Sequence, residues 1–185
     1  IRVGENVVIQ GSGALGIFAT AVARLSGAAK VITVGAPQAR LDLAAEFGAD
    51  VTVGLEGGAE ARIGAVMEAT DGRGANKVFD FAGAPGVGAE AVHMTAARGT
   101  FTVVGSTGFF PTELYLGEIM GKEMAIVGSL NGDISDYHHA ISFFEAFGDA
   151  MPWDKLFSPA VGLAGASDAV RSMAALETVK AVVDP

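Results

Sequence analysis

A glycine-rich hexapeptide, Gly11-Ser12-Gly13-Ala14-Leu15-Gly16, offers the clearest chemistry in this chain. It lies between the strand-like run Asn6-Val7-Val8-Ile9-Gln10 and a long apolar helical stretch, Ala14 to Ser26. In that setting each glycine has a physical task. Gly11 permits a tight turn, Gly13 lets backbone approach a pyrophosphate, and Gly16 lets the helix lie close on the strand. The amides that open the helix then face the phosphates with the positive end of the helix dipole. A dinucleotide site is the expectation. The alternatives are a structural turn, or a related fold that holds another adenosine ligand.

Other candidate groups are fewer. A dinucleotide fold usually carries an acid at the end of its second strand, where it bonds the adenosine ribose. Counting forward from Gly16 places that position at Gly35, so the acid is missing. Gly35-Ala36-Pro37 is small and apolar, and the nearest cation is Arg40, in the first turn of the next helix. Arg40 can reach a ribose hydroxyl or a 2′-phosphate, or be a solvated surface arginine. Phe81-Ala82-Gly83 and Val104-Gly105-Ser106 end two further strands, and their small residues suit the approach of a flat nicotinamide ring. Ordinary strand-end turns would use the same residues. Asp80, inside a strand, is expected to bond neighbouring backbone rather than act in catalysis.

The three histidines form no site. His138 and His139 are adjacent on a helix and point about 100° apart, so they cannot chelate as an i, i+4 pair would. His93 falls late in an Ala-rich helix and reads as structural or exposed. Nothing resembles a Ser/His/Asp triad or a paired-carboxylate site. A hydride-transfer protein leaves the chemistry to its cofactor, which this pattern allows.

The elements that must hold these groups alternate between strand and helix. Strands are expected at Val7–Gly11, Lys30–Val34, Val51–Val53, Lys77–Phe81, Gly99–Gly105 and Met124–Gly128. Helices are expected at about 14–26, 38–47, 59–69 and 87–96, with an irregular segment around Phe109–Gly121. The strands are nearly continuous Val/Ile/Phe runs, as in a parallel sheet covered on both faces. Right-handed crossovers then give an α/β, Rossmann-type, doubly wound six-stranded parallel sheet of order 3-2-1-4-5-6, with helices on both faces. Ligands bind beyond the carboxyl ends of strands 1 and 4 in that order. The tail reads as a helix at Asp136–Phe147, a strand at Phe157–Val161, a helix at Ser167–Leu176 and a strand at Lys180–Val183. Ile134, Tyr137, Ile141 and Phe144 have helical spacing and read as a core stripe.

Composition bounds the function classes. The length of 185 residues and a hydrophobic content of 50% suit one packed domain, residues 1–185. A net charge of −9 without a basic cluster argues against nucleic-acid binding. No membrane span and no signal-peptide pattern is evident, and an intracellular, cytoplasmic location is the default. The absence of cysteine removes disulfides and cysteine-ligated zinc. The start at Ile1 reads as trimmed, with sequence preceding it in a parent protein.

The run Gly4-Glu5-Asn6-Val7-Val8-Ile9-Gln10 and the hexapeptide after it resemble the start of one known coenzyme-binding domain. That family is the medium-chain, zinc-containing alcohol dehydrogenases. The resemblance continues through Arg40–Asp50, Asp71–Asp80, Gly99–Gly105 and Val179–Pro185, and so covers nearly the whole chain. It implies that Gly13, Ala14 and Leu15 lie beneath the pyrophosphate and that Gly35 and Arg40 match ribose-contacting positions. Phe81, Ala82, Val104, Gly105 and Ser106 match the nicotinamide-side wall. Ser129 and Leu130 match a segment that closes over the nicotinamide, and Lys180 a basic position that contacts a phosphate. It also implies a homodimer through the sheet edge around Leu114–Val127. The family's zinc ligands, proton relay and most of its substrate pocket precede the glycine motif, so this chain alone is expected to be inactive.

The implied activity of the parent is hydride transfer between an alcohol or carbonyl substrate and NAD or NADP. Zinc, if used, would belong to the part before the motif. Two alternatives stand beside this: the same domain from a zinc-free quinone or enoyl reductase, and a standalone dinucleotide-binding regulatory module. A methyltransferase on the same fold fits less well, because the first helix and six-strand order favour a dinucleotide.

Overall fold

The computed structural model describes residues 1–105 and 111–185. Its strands are β1 (Asn6–Gln10), β2 (Lys30–Val34), β3 (Val51–Val53), β4 (Ala75–Asp80), β5 (Thr95–Val103) and β6 (Ala125–Gly128). Helices α1 (Ala14–Leu25), α2 (Gln38–Glu46), α3 (Gly58–Ala69) and α4 (Val87–Met94) connect the first five. A short α5 (Leu116–Gly121) precedes β6, within the stretch expected to be irregular, and α6 (Ile134–Phe147) follows it.

The strands form one six-stranded sheet of order β3-β2-β1-β4-β5-β6. Every pairing is parallel. The order expected from strand–helix alternation is the one found. β1 pairs with β2 from Asn6↔Lys30 to Gln10↔Val34 and with β4 from Val7↔Lys77 to Gln10↔Asp80. This register ends β1 and β4 at the same level. The chain leaves β1 for one neighbour and enters β4 on the other side, so their ends border a crevice.

Alternation along the strands sends successive side chains to opposite faces. Val8, Ile32, Val34, Val78 and Phe101 join Val66 of α3 and Ala91, Val92 and Met94 of α4 in one core cluster. Val7, Ile9 and Val31 join Ala23 of α1 in the other. A helix-coated sheet of this kind needs Val/Ile runs without polar alternation, which explains why the strands were legible.

Two boundaries differ instructively. The expected helix through Ala96 stops at Met94, and β5 starts at Thr95 rather than Gly99. Thr95 takes extended backbone (φ −78°, ψ 132°), its Oγ1 donates to Ala91 O at 2.6 Å, and it pairs with Ala75. The early start carries a register shift between Ala75 and Lys77, and Arg98 sits at φ +59°.

The chain divides into two compact units, Ile1–His138 and His139–Pro185, and the whole sheet belongs to the first. In the second, 3₁₀ turns at Trp153–Leu156 and Leu163–Gly165 precede α7 (Ala166–Ala174). The strands expected at Phe157–Val161 and Lys180–Val183 reduce to two isolated parallel bridges, Phe157↔Lys180 and Val161↔Val183. Pro159 lies mid-segment and has no N–H to give a ladder.

The stripe Ile134, Tyr137, Ile141 and Phe144 is not core: all four side chains are exposed. The half-buried aromatics of α6 are Phe143 and Phe147, an i, i+4 pair with ring centroids 5.2 Å apart. Phe143 also meets the Trp153 ring, at 6.3 Å. Phe144, at the end of the stripe, meets the same ring at 5.3 Å, so the packed face is shared by Phe143, Phe144 and Phe147. No helix among the described residues is long and apolar enough to cross a membrane.

Candidate functional site: a cleft at the ends of β1 and β4

The glycine turn is built by close backbone approach. Gly11 has φ +115°, and a Cβ there would sit 2.9 Å from Ala82 N. Its own N–H donates to Val34 O at 2.7 Å, while Phe81 N–H donates to Gln10 O at 2.8 Å. The turn is thus tied to β2 on one side and to the end of β4 on the other. A Cβ on Gly16 would overlap the Gly11 carbonyl oxygen, so only glycine lets α1 start this close to the turn. Gly13 differs, because a Cβ there would meet nothing within 4 Å. The space beside it is open.

Gly13 caps α1 without a side-chain bond, and Ile17 N–H is bonded to Gly13 O at 2.9 Å. The amides of Ala14, Leu15 and Gly16 precede that first intrahelical bond and lie outside the helical ladder. No acidic residue occupies the first turn. The turn therefore offers N–H groups and a positive helix end with no competing carboxylate, which suits a pyrophosphate.

A cleft of about 390 Å³ opens here, within the range that ligand sites occupy. Gln10, Gly11, Ser12 and Gly13 form its floor, Gly35 and Ala36 one side, and Phe81 and Ala82 another. Leu55, Pro85 and Val87 add apolar wall. Gln10 is buried, and its Oε1 has no hydrogen-bond partner among the described residues.

Asp80 shapes the tips of β4 and β5. It is 1% exposed, and its Oδ1 accepts N–H bonds from Ala82 (2.8 Å) and Gly83 (2.9 Å). Its backbone oxygen accepts from Val104 (3.0 Å) and Gly105 (2.6 Å). One residue thereby holds both strand tips, as expected for a carboxylate occupied with backbone. Burial pushes its carboxyl pKa up, and the two amide bonds pull it down by less. A Cβ on Gly105 would overlap Gly83 N, so these tips interlock through backbone.

Two residues important to the cleft gave no sequence signal. Arg62 of α3 and Glu90 of α4 both line it and form a bidentate pair, Nε–Oε2 at 2.9 Å and Nη2–Oε1 at 2.5 Å. Arg62 Nη1 also donates to Leu55 O at 3.0 Å. Their side chains are 16% and 8% exposed, and the bond to Glu90 raises the Arg62 pKa. The two residues are 28 positions apart, so only packing of α3 against α4 joins them. We expect Arg62→Ala to strand Glu90 and to cost about 3 kcal/mol. Urea denaturation measures this, and a loss under about 0.5 kcal/mol would contradict a stabilising pair.

The other expected positions are distributed unevenly. Ala14 and Leu15 open α1, and Leu15 is 68% exposed. Arg40 lies in α2 but is only 8% exposed, so it is not a solvated surface arginine. It does not line the cleft, and burial lowers its pKa. Ser129 follows β6, with its N–H on Val103 O at 2.9 Å, and Leu130 is strongly exposed. Ser106 lies outside the described residues. Lys180 lies in the second unit, opposite Phe157 in an isolated bridge.

His93 is structural: Nδ1 lies 2.8 Å from Glu118 Oε2, and its ring is 5.1 Å from that of Tyr115. His138 and His139 are exposed. Among the described residues no group of three His, Asp or Glu is placed to hold a metal ion. These residues do not fit a zinc site.

The sheet order, glycine turn and cleft define a doubly wound dinucleotide-type fold. A family model described as zinc-binding dehydrogenase matches residues 14–146, and the chain belongs to that family. It is 30% identical over 182 residues to 5-exo-hydroxycamphor dehydrogenase of Pseudomonas putida, covering 97% of this chain and 50% of that protein. Sorbitol dehydrogenase 1 of Saccharomyces cerevisiae is 33% identical over 146 residues, covering 77% of this chain and 41% of that protein. Alcohol dehydrogenase from Thermotoga maritima superposes with a TM-score of 0.90 at 30% identity, over 99% of this chain and 50% of that one. A zinc-binding dehydrogenase structure from Sinorhizobium meliloti, bound to NADP, gives 0.86 at 27% identity, over 100% of this chain and 54% of that one. The chain spans about half the length of these relatives.

Proposed function

We propose that residues 1–185 are the coenzyme-binding half of an NAD(P)-dependent dehydrogenase acting on an alcohol or carbonyl substrate. The observation that carries this is the cleft at the β1 and β4 ends, floored by a turn whose Gly13 is open and whose neighbouring helix start offers amides. The dinucleotide would supply hydride transfer at its nicotinamide. The chain's own residues bind and orient. Gly11–Gly16 would hold the pyrophosphate, Ala36 and Leu55 would border the adenosine, and the tips fixed by Asp80, Ala82 among them, would border the nicotinamide side. Metal ligands and the proton relay would come from sequence outside residues 1–185. The dehydrogenase names of the relatives support the reaction class.

Isothermal titration of this chain with NADH and NADPH tests the reading. Saturable binding without alcohol oxidation is the expected result. Failure to bind either dinucleotide would remove the proposal, and turnover by these residues alone would remove the division of labour. Binding by a protein encoded without any catalytic half would instead favour a regulatory module.

A further inference from the structure

Arg62 brings three segments together on one side of the cleft. After β3 the chain runs Gly54-Leu55-Glu56-Gly57-Gly58, with φ +82° and +77° at the last two glycines, and α3 then begins. A glycine-rich stretch of this kind has little conformational restraint of its own. Its apolar tip, Leu55, lines the cleft while 49% exposed, a placement that burial does not secure. The restraint comes from Arg62, whose Nη1 donates to Leu55 O at 3.0 Å.

Arg62 is itself held. Its Nε and Nη2 donate to the two oxygens of Glu90, at 2.9 and 2.5 Å, which fixes the plane of the guanidinium. The bond to Leu55 is exposed, and a free side chain would gain little from it. With Glu90 already ordering Arg62, most of the entropic cost of that bond is removed. A lysine ammonium could compensate Glu90, but it has no rigidly spaced donors to span both partners.

The lip stands on the side where a base would lie. An adenosine ribose belongs at the tip of β2, and β3, from which the lip runs, is the outer neighbour of β2. A base carried by that ribose has Leu55 as apolar wall, with Pro85 and Val87 supplying more from beyond β4.

We propose that Arg62 is a positioning residue for the adenine base of the dinucleotide: anchored on Glu90, it holds Leu55 as the lip against which the base packs. This rests on the dinucleotide reading above and deepens it. The base contact falls to Leu55, and its geometry to a pair of side chains 28 positions apart.

The test has two arms on the 185-residue chain, both built on Arg62→Lys, which keeps a cation beside Glu90. NMR relaxation of the Leu55 and Glu56 amides reads the lip without any ligand. Order parameters of about 0.85 are expected in the unaltered chain and below about 0.6 in Arg62→Lys, with β1 and β4 unchanged. An equally ordered lip in both proteins would overturn the role of Arg62.

Titration with NADH, and with ADP-ribose, which shares its adenosine half and lacks the nicotinamide, reads the function. Arg62→Lys is expected to weaken both by about three- to tenfold, the worth of one hydrogen bond. In a Leu55→Ala background the same substitution is expected to change affinity by less than about twofold, because the lip is already gone. A merely structural role would give equal losses in both backgrounds, and that result would overturn the proposal. So would a loss confined to NADH, which would put the effect at the nicotinamide end. Should Arg62→Lys fail to fold, Glu90→Gln, which loosens Arg62 while keeping it, must show the same dependence on Leu55. If the unaltered chain binds neither ligand, the dinucleotide reading fails and the base contact with it, while the relaxation arm still decides whether Arg62 holds the lip.

Discussion

Replacing Gly16 by alanine is expected to destabilise the chain by about 3 kcal/mol or more, despite alanine's higher helix propensity. The added Cβ would overlap the Gly11 carbonyl oxygen, and Gly16 is buried between α1 and the turn. Helix propensity offsets about 1 kcal/mol of the cost. The overlap is larger, because the atom in the way is backbone, in a turn tied to both β2 and Phe81. For a chain of this length the loss corresponds to a fall in Tm of roughly 6–12 °C.

Gly13→Ala provides the contrast. Its Cβ would meet nothing within 4 Å, and its φ of −75° is open to alanine. Stability should therefore change by less than about 0.5 kcal/mol, whereas dinucleotide affinity should fall by tenfold or more, on the order of 1.4 kcal/mol. Denaturation midpoints beside titration of both variants check the pair. Equal stability losses at positions 13 and 16 would contradict the open space at Gly13, and unchanged affinity in Gly13→Ala would show that position 13 meets no ligand.

Substitution of Asp80 separates geometry from charge. Asp80→Ala strands the amides of Ala82 and Gly83 at the tip of β4 and opens a small void, an expected cost of about 2–4 kcal/mol. Asp80→Asn keeps an acceptor oxygen for both amides and removes the buried charge. It should stay within about 1 kcal/mol of the unaltered chain at neutral pH and change how stability varies with pH.

The sign follows from linkage. The folded pKa of Asp80 is raised, chiefly by burial, so the folded chain keeps this proton to higher pH than the unfolded chain. Its contribution to stability is complete below the unfolded value, near pH 4, and is lost as pH rises through the raised folded value. Other carboxylates titrate in the same range. The difference between the unaltered chain and Asp80→Asn, in urea midpoints from about pH 4 to 8, isolates this one. Identical profiles for the two proteins would refute the assignment.

Most of the sheet was legible because its strands are short, apolar and separated by helices with glycine or small-residue ends. Lys30–Val34 and Val51–Val53 were located to the residue. The end of α4 was not, since Thr95 bonds Ala91 O and pairs with Ala75 across a bulge that periodicity does not encode. The same limit appears in α6. Its Ile134–Phe144 stripe had the right spacing for core, yet Ile134, Tyr137 and Ile141 are exposed and the rings that meet Trp153 are Phe143 and, from the end of the stripe, Phe144. Both faces satisfy a helical period, and only the neighbour decides between them.

The cleft divides along the same line. By itself the sequence determined that Gly11–Gly16 forms a turn between a strand and a helix, that the sheet reverses beside it, and that position 35 lacks an acid. These follow from local conformational freedom and from the burial pattern of short segments. The tertiary structure decided that Arg62 neutralises Glu90, that Arg40 is buried, and that Ser12 fills the space beside Gly35. Each depends on segments distant in sequence being brought into van der Waals or hydrogen-bond contact. No local residue pattern contains that distance; the packing of whole elements sets it.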